Sequence, residues 1–74
     1  MTVTVRLFAT FRNGRFKEEI RNYEEDTAIL HVIRDLGLPE KEIGAILVNS
    51  RHAEEDRKLH DGDALAIFPL VGGG

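Results

Sequence analysis

Only one stretch of this chain repeats its apolar residues with the period of a helix, and stretches that alternate every second residue flank it on both sides. Ile29, Val32, Ile33 and Leu36 form a single apolar stripe. A lone amphipathic helix has nothing of its own to bury that stripe against, so it must pack across one face of a sheet made by the flanking segments. With 74 residues there is room for one such core, because a chain this short buries only about 60% of the surface that its unfolded form exposes.

The sheet is legible segment by segment. Val3, Val5, Leu7, Ala9 and Phe11 share one parity, predicting a strand from Val3 to Phe11. Asn13-Gly14 supplies turn chemistry, and Phe16 and Ile20 make the inward set of a second, edge-like strand. Asp26 or Thr27 is a suitable N-cap for the helix, Gly37 its stop, and Pro39 a block to its resumption. Ala45 to Asn49 is a third strand, Arg51 to Ala53 a brief fourth, and Ala64 to Phe68 the last, entered through the turn Asp61-Gly62-Asp63. First and last strands then lie side by side and parallel. The expectation is an α+β fold of the β-grasp type, with a mixed sheet of four to five strands and one main helix across it, over residues 1–69. Residues 70–74 are expected to be a flexible tail.

Composition removes many functions. There is no cysteine, so no side-chain thiolate carries sulfur, an iron–sulfur cluster or a disulfide. His31, His52 and His60 lack metal-site spacing, and no metal is expected. Glu54, Glu55 and Asp56 are adjacent rather than opposed, and Ser50, the only serine, has no nucleophile-elbow glycines, so no catalytic constellation is visible. With neither a secretory signal nor a membrane-length apolar run, a cytoplasmic protein without membrane contact is expected. The formal charge is −3, with five basic and two acidic side chains in residues 1–23 against five and eleven in residues 24–63. Nucleic acid is a poor partner for that middle region. A partner with a basic surface suits it, as does a simple solvated acidic face.

After Phe68-Pro69 the chain reads Leu70-Val71-Gly72-Gly73-Gly74. Five residues reach about 17 Å when extended, and glycines pass through narrow channels. Leu70, Val71, Gly72 and Gly73 are thus candidates for tail recognition by an enzyme, and Gly74 for the reactive terminus. Its carboxylate, ionised at neutral pH, needs activation before a nucleophile can attack it. Three glycines alone also suit a frayed terminus. Phe8 and Phe68 fall on the parity opposite to the helix-facing residues, and with Leu47 nearby they form either a partner-docking patch or a simple cover for the open face.

The segments Val5-Arg6-Leu7-Phe8-Ala9, Val48-Asn49, Leu59, Asp61-Gly62-Asp63, Ile67-Phe68-Pro69 and Val71 before the glycines resemble the MoaD/ThiS family of sulfur carriers, from Val5 to Gly74. The ending Ile67 to Gly74 and the first-strand segment Leu7 to Arg12 look more like the molybdopterin-synthase small subunit than the thiamine sulfur carrier, although Gly72 extends the usual two glycines to three and Leu70 stands where a second proline is common. The resemblance implies a ubiquitin-like β-grasp and an E1-like adenylyltransferase that spends ATP on Gly74. It also implies a sulfur donor system that leaves a thiocarboxylate there, and a large molybdopterin-synthase subunit, or a thiazole synthase, as recipient. The protein is then a sulfur-carrying co-substrate or noncatalytic subunit with no bound cofactor. Two other readings stay open at this point: a ubiquitin-like modifier conjugated through Gly74, and a plain β-grasp binding module.

Overall fold

The computed structural model describes residues 1–70. The expectations that rest on Val71, Gly72, Gly73 and Gly74 lie outside the described residues. Five strands form one mixed sheet: β1 (Thr2–Leu7), β2 (Glu18–Asn22), β3 (Ile43–Val48), β4 (Arg51–His52) and β5 (Ala64–Pro69), in the spatial order β2-β1-β5-β3-β4. β1 and β5 run parallel at the centre, with Val5 beside Leu65 and Leu7 beside Ile67. The other pairings are antiparallel. The helix α1 (Ile29–Asp35) packs Ile29, Val32 and Ile33 onto one face, against Val3, Val5, Leu7, Ile46, Val48, Leu65 and Ile67. This is the expected β-grasp.

Both ends of α1 are closed by backbone and by distant residues. The side-chain N-cap expected at Asp26 or Thr27 is not used: the cap position is Ala28, without a side-chain bond. Instead the Ile29 and Leu30 amides donate to the carbonyls of Arg57 (2.9 Å) and Glu55 (2.8 Å), so the polar loop after β4 satisfies groups that a helix start leaves open. At the other end Gly37, at φ +69°, allows Leu38 N–H to reach the Ile33 carbonyl and Gly37 N–H the Arg34 carbonyl. That is the paired bonding of a Schellman stop, and Leu38 is buried beneath it. The Arg15 guanidinium adds bonds to the Leu36 and Gly37 carbonyls, both 3.0 Å, placing a cation at the negative end of the helix.

The first hairpin departs from the alternation. β1 stops at Leu7, not Phe11, because Ala9 adopts φ 50° and the chain enters a 3-10 turn over Ala9–Arg12. The turn swings Phe11 into the core by a route other than strand parity, and leaves Ala9 exposed. Ile20 is not inward: its register partner is Thr4, on the open face, and it is 67% exposed. Phe16 precedes β2 and packs against the core edge. β3 starts at Ile43 rather than Ala45, and β4 is only two residues long. The two-residue loop between them, Asn49-Ser50, has φ of 51° and 70°, the pair of left-handed conformations that a tight hairpin needs.

The Asn49 and Asp61-Gly62-Asp63 segments meet in space. Asn49 donates to Asp63 Oδ1 (2.9 Å) and accepts from the Ala64 amide (2.9 Å), while Asp63 Oδ2 accepts from the His60 amide (2.8 Å). Asp61 accepts from the Thr2 amide (2.7 Å), and Gly62 donates to the Thr2 carbonyl (2.7 Å). These bonds pin the starts of β1 and β5 to the end of β3, so the motif sets the register of the parallel pair. Asp63 is the one buried charged residue among those described, and Asp63→Ala strands both the Asn49 amide and the His60 N–H. It is expected to cost about 2–4 kcal/mol in urea unfolding, and a loss below about 0.5 kcal/mol contradicts the pinning role.

Tyr23, the only tyrosine, accepts from Arg21 Nε (2.9 Å) and donates to Asp35 (3.2 Å), tying the end of β2 to α1. Burial raises its pKa, against the opposing pull of the Arg21 hydrogen bond. A phenol whose folded pKa lies above its unfolded one supports stability below the unfolded value and loses that support as pH rises through the folded value. The tyrosinate absorbance of the folded protein is therefore expected to appear above the ordinary midpoint of about 10. Stability is expected to fall over the same alkaline window, and a midpoint at or below the ordinary value contradicts this.

Candidate functional site

The parallel pairing brings the late residues of β1 and β5 to one end of the sheet. Phe8 follows Leu7 in extended conformation and continues onto the open face. Phe68 lies one residue past Ile67, the partner of Leu7. Their rings stack with centroids 4.0 Å apart and planes 8° from parallel. Ala45 pairs with Phe68 and Leu47 with Ala66, so these side chains share that face. Phe8 and Phe68, singled out from strand parity, and Leu47, expected nearby, form one continuous half-buried apolar surface.

The exit of the tail adjoins this surface. Leu70 N–H donates to the Glu42 carbonyl at 2.7 Å, which holds the backbone against the start of β3 through Leu70. The register of β3 with β5 shifts between Ile43 and Ala45, and Gly44 sits at the shift. A side chain at 44 has no room: a Cβ there would lie 2.7 Å from the Pro69 carbonyl oxygen and 3.0 Å from Leu70 Cα. Glycine thus permits the close backbone approach at the neck. The hollow beside it, about 450 Å³, is lined by Gly44, Ala45, Leu47, Phe68, Pro69 and Leu70. Leu70 is 60% exposed, an apolar handle at the edge of that hollow. Neither Gly44 nor the Glu42 carbonyl is signalled by the sequence, since a bulge leaves no periodic trace in a six-residue strand.

Elsewhere the surface offers little chemistry. A concavity of about 690 Å³ lined by Asn22 to Ala28 and His31 is larger, but it lies at the β1 start, where Asn22 pairs with Thr2, remote from Phe8. His31, His52 and His60 are exposed, and among the described residues no group of metal-ligating side chains converges. No helix of the described residues is long and apolar enough to cross a membrane.

The fold recurs in known proteins. The chain is similar to a putative molybdopterin converting factor subunit 1 from Pyrococcus furiosus, at 31% identity and TM-score 0.75, covering 96% of this chain and 99% of that one. It shares its fold with SAMP1 from Haloferax volcanii, at 22% identity and TM-score 0.78 with both chains fully covered. The same fold, at 24% identity and TM-score 0.68 with both chains fully covered, occurs in the complex of subunits 1 and 2 of the molybdopterin-converting factor from Helicobacter pylori. No curated protein sequence matches. The model of the ThiS family matches residues 5–74, nearly the whole chain, and the protein accordingly belongs to that family, the ubiquitin-like sulfur carriers of the MoaD/ThiS kind.

Proposed function

We propose that the protein carries sulfur as a thiocarboxylate formed on the main-chain carboxyl group of Gly74. The observation that carries this reading is the parallel β1–β5 pairing, which delivers the chain at Leu70 beside the stacked Phe8 and Phe68. One end of the sheet then offers both a docking surface and the path to the terminus. The family match, which extends through residue 74, supports the same reading.

The chemistry needs little from the carrier. An E1-like adenylyltransferase joins the Gly74 carboxylate to the α-phosphate of ATP, releasing pyrophosphate and leaving an acyl-adenylate. A hydrosulfide ion supplied by a donor system attacks the acyl carbon, and AMP departs with the electron pair of the broken carbon–oxygen bond. Loss of the S–H proton leaves the thiocarboxylate. Electrostatic stabilisation of both steps falls to the partner, because the tail brings no charged side chain. The protein acts as a co-substrate and noncatalytic subunit, with ATP consumed by its partner and no cofactor of its own. Leu70 and Val71 serve as apolar handles, and Gly72 and Gly73 as the slender segment that enters the active site.

The recipient is a large molybdopterin-synthase subunit, in keeping with the Helicobacter pylori complex of subunits 1 and 2, and the sulfur goes to a pterin precursor. A thiazole synthase of thiamine biosynthesis is the alternative within the same chemistry. A second reading, conjugation to protein lysines through Gly74, is favoured by the fold shared with an archaeal protein named as a small modifier.

Intact mass spectrometry after incubation with ATP, the activating enzyme and a sulfur source separates these readings. The full chain is expected to gain the mass of one sulfur replacing one oxygen, and a variant lacking Gly74 to gain nothing. Large covalent adducts without the sulfur product favour the modifier reading instead. Phe68→Ser, which removes half of the stacked pair, is expected to lower kcat/KM for adenylation by about tenfold or more while the folded far-ultraviolet spectrum is kept. An unchanged kcat/KM excludes the open face as the docking surface.

A further inference from the structure

The open face is not flanked evenly by charge. A hollow of about 200 Å³ on the Phe8 side is lined by Arg6, Phe8, Arg12, Lys17 and Glu18. Arg6 and Glu18 are register partners and neutralise one another at 2.6 Å. Arg12 lies over the Phe8 ring, 5.2 Å from its centroid, and its Nε is held by the Leu7 carbonyl at 2.7 Å. That bond uses one edge of the guanidinium and leaves its two terminal amino groups for another partner. Among the described residues, neither Arg12 nor Lys17 has a carboxylate at ion-pair distance.

The acidic groups are gathered elsewhere. Glu24, Glu25 and Asp26 lead into the start of α1, and the loop carrying Glu54, Glu55 and Asp56 closes that same helix end. This end lies by the start of β1, whereas Arg15, beside Phe11 and the stop of α1, joins Arg12 and Lys17 at the other. On the β3 side of the tail, Glu40 is paired with Arg34, and Glu42 is separated from Phe8 by β5. The net charge of −3 therefore hides a molecule with an acidic pole and a cationic rim beside the tail exit.

We propose that the docking partner presents an apolar centre to Phe8, Phe68 and Leu47 and carboxylates to Arg12 and Lys17. The inference rests on the open face being the docking surface for the sulfur-transfer partners. It differs from the basic partner suggested by the acidic excess of residues 24–63, because those acidic groups lie at the other end of the molecule. An acidic protein surface fits better than nucleic acid, because the faces of Phe8 are taken by Phe68 and Arg12 rather than left for a base. Charge separation along the molecule also turns the tail end toward such a partner during approach.

The test measures association of the full chain with purified subunit 2 of the molybdopterin-converting factor from the same organism, at low and high ionic strength. Lys17→Glu leaves the fold's hydrogen bonds intact, since Lys17 contributes only its carbonyl, to the Leu7 amide. It is expected to slow association about tenfold at low salt, with the difference shrinking as salt rises. Arg12→Gln is expected to act in the same direction, and Lys58→Glu, at the acidic pole, to change little. If wild type binds and both Lys17→Glu and Arg12→Gln bind equally well or faster, the charge assignment is wrong while the docking face stands. Absence of wild-type binding removes the docking reading and the charge assignment together.

Discussion

The central parallel contact between β1 and β5 is the constraint from which the rest of the molecule follows. Parallel neighbours need a crossover, and here the crossover is everything from residue 8 to residue 63: a second strand, the helix and a short antiparallel pair. Because the two strands point the same way, their last residues reach the same end of the sheet. Phe8 and Phe68 stack there, and the chain leaves there at Leu70. The pairing is held at its other end by Asp61, Gly62 and Asp63, which fasten Thr2, Asn49 and Ala64 in one set of bonds. A one-residue slip would move Val3, Val5 and Leu7 out of the core, so these few bonds have consequences along the full length of the strand.

A seven-residue helix has little stability of its own. Its amides are met by the carbonyls of Glu55 and Arg57, and its last carbonyls by Leu38, Gly37 and Arg15. Each partner comes from a neighbouring loop, so the loops are ordered by the helix as much as the helix by the loops. Arg21 reinforces the arrangement, with bonds to Glu19, Tyr23 and Asp35 that join β2 to α1 across the edge of the core. In a chain with room for only one core, this shared use of backbone groups replaces the extra apolar burial that a larger domain would have.

The two faces of the sheet are used differently. One face of the sheet is spent on α1. The other remains available, with the small residues Ala45 and Ala66 beside the two aromatic rings and Ala64 farther along the same face. Gly44 and the Glu42 carbonyl then fix where the backbone leaves this surface. The sheet's geometry thus decides where the backbone runs up to Leu70, with the two stacked rings beside that point.

Much of this was legible without coordinates. The period of Ile29, Val32, Ile33 and Leu36, the alternation at Val3, Val5 and Leu7, and the stop at Gly37-Leu38-Pro39 each determined a local conformation, because local sterics and apolar burial act over a few residues. Parity also placed Phe8 and Phe68 on one face, and the register of β3 with β5 put Leu47 there too. What tertiary structure alone decided were the relations between distant segments. It turned Ile20 outward by pairing it with Thr4, ended β1 at Ala9, capped the helix from residues 55 and 57, seated Gly44 against Pro69, and sorted the charges into two poles. Periodicity reports how a residue relates to its near neighbours. Register, capping by a remote loop and the sum of charge on a surface depend on which segments meet, and that is set only when the whole core closes.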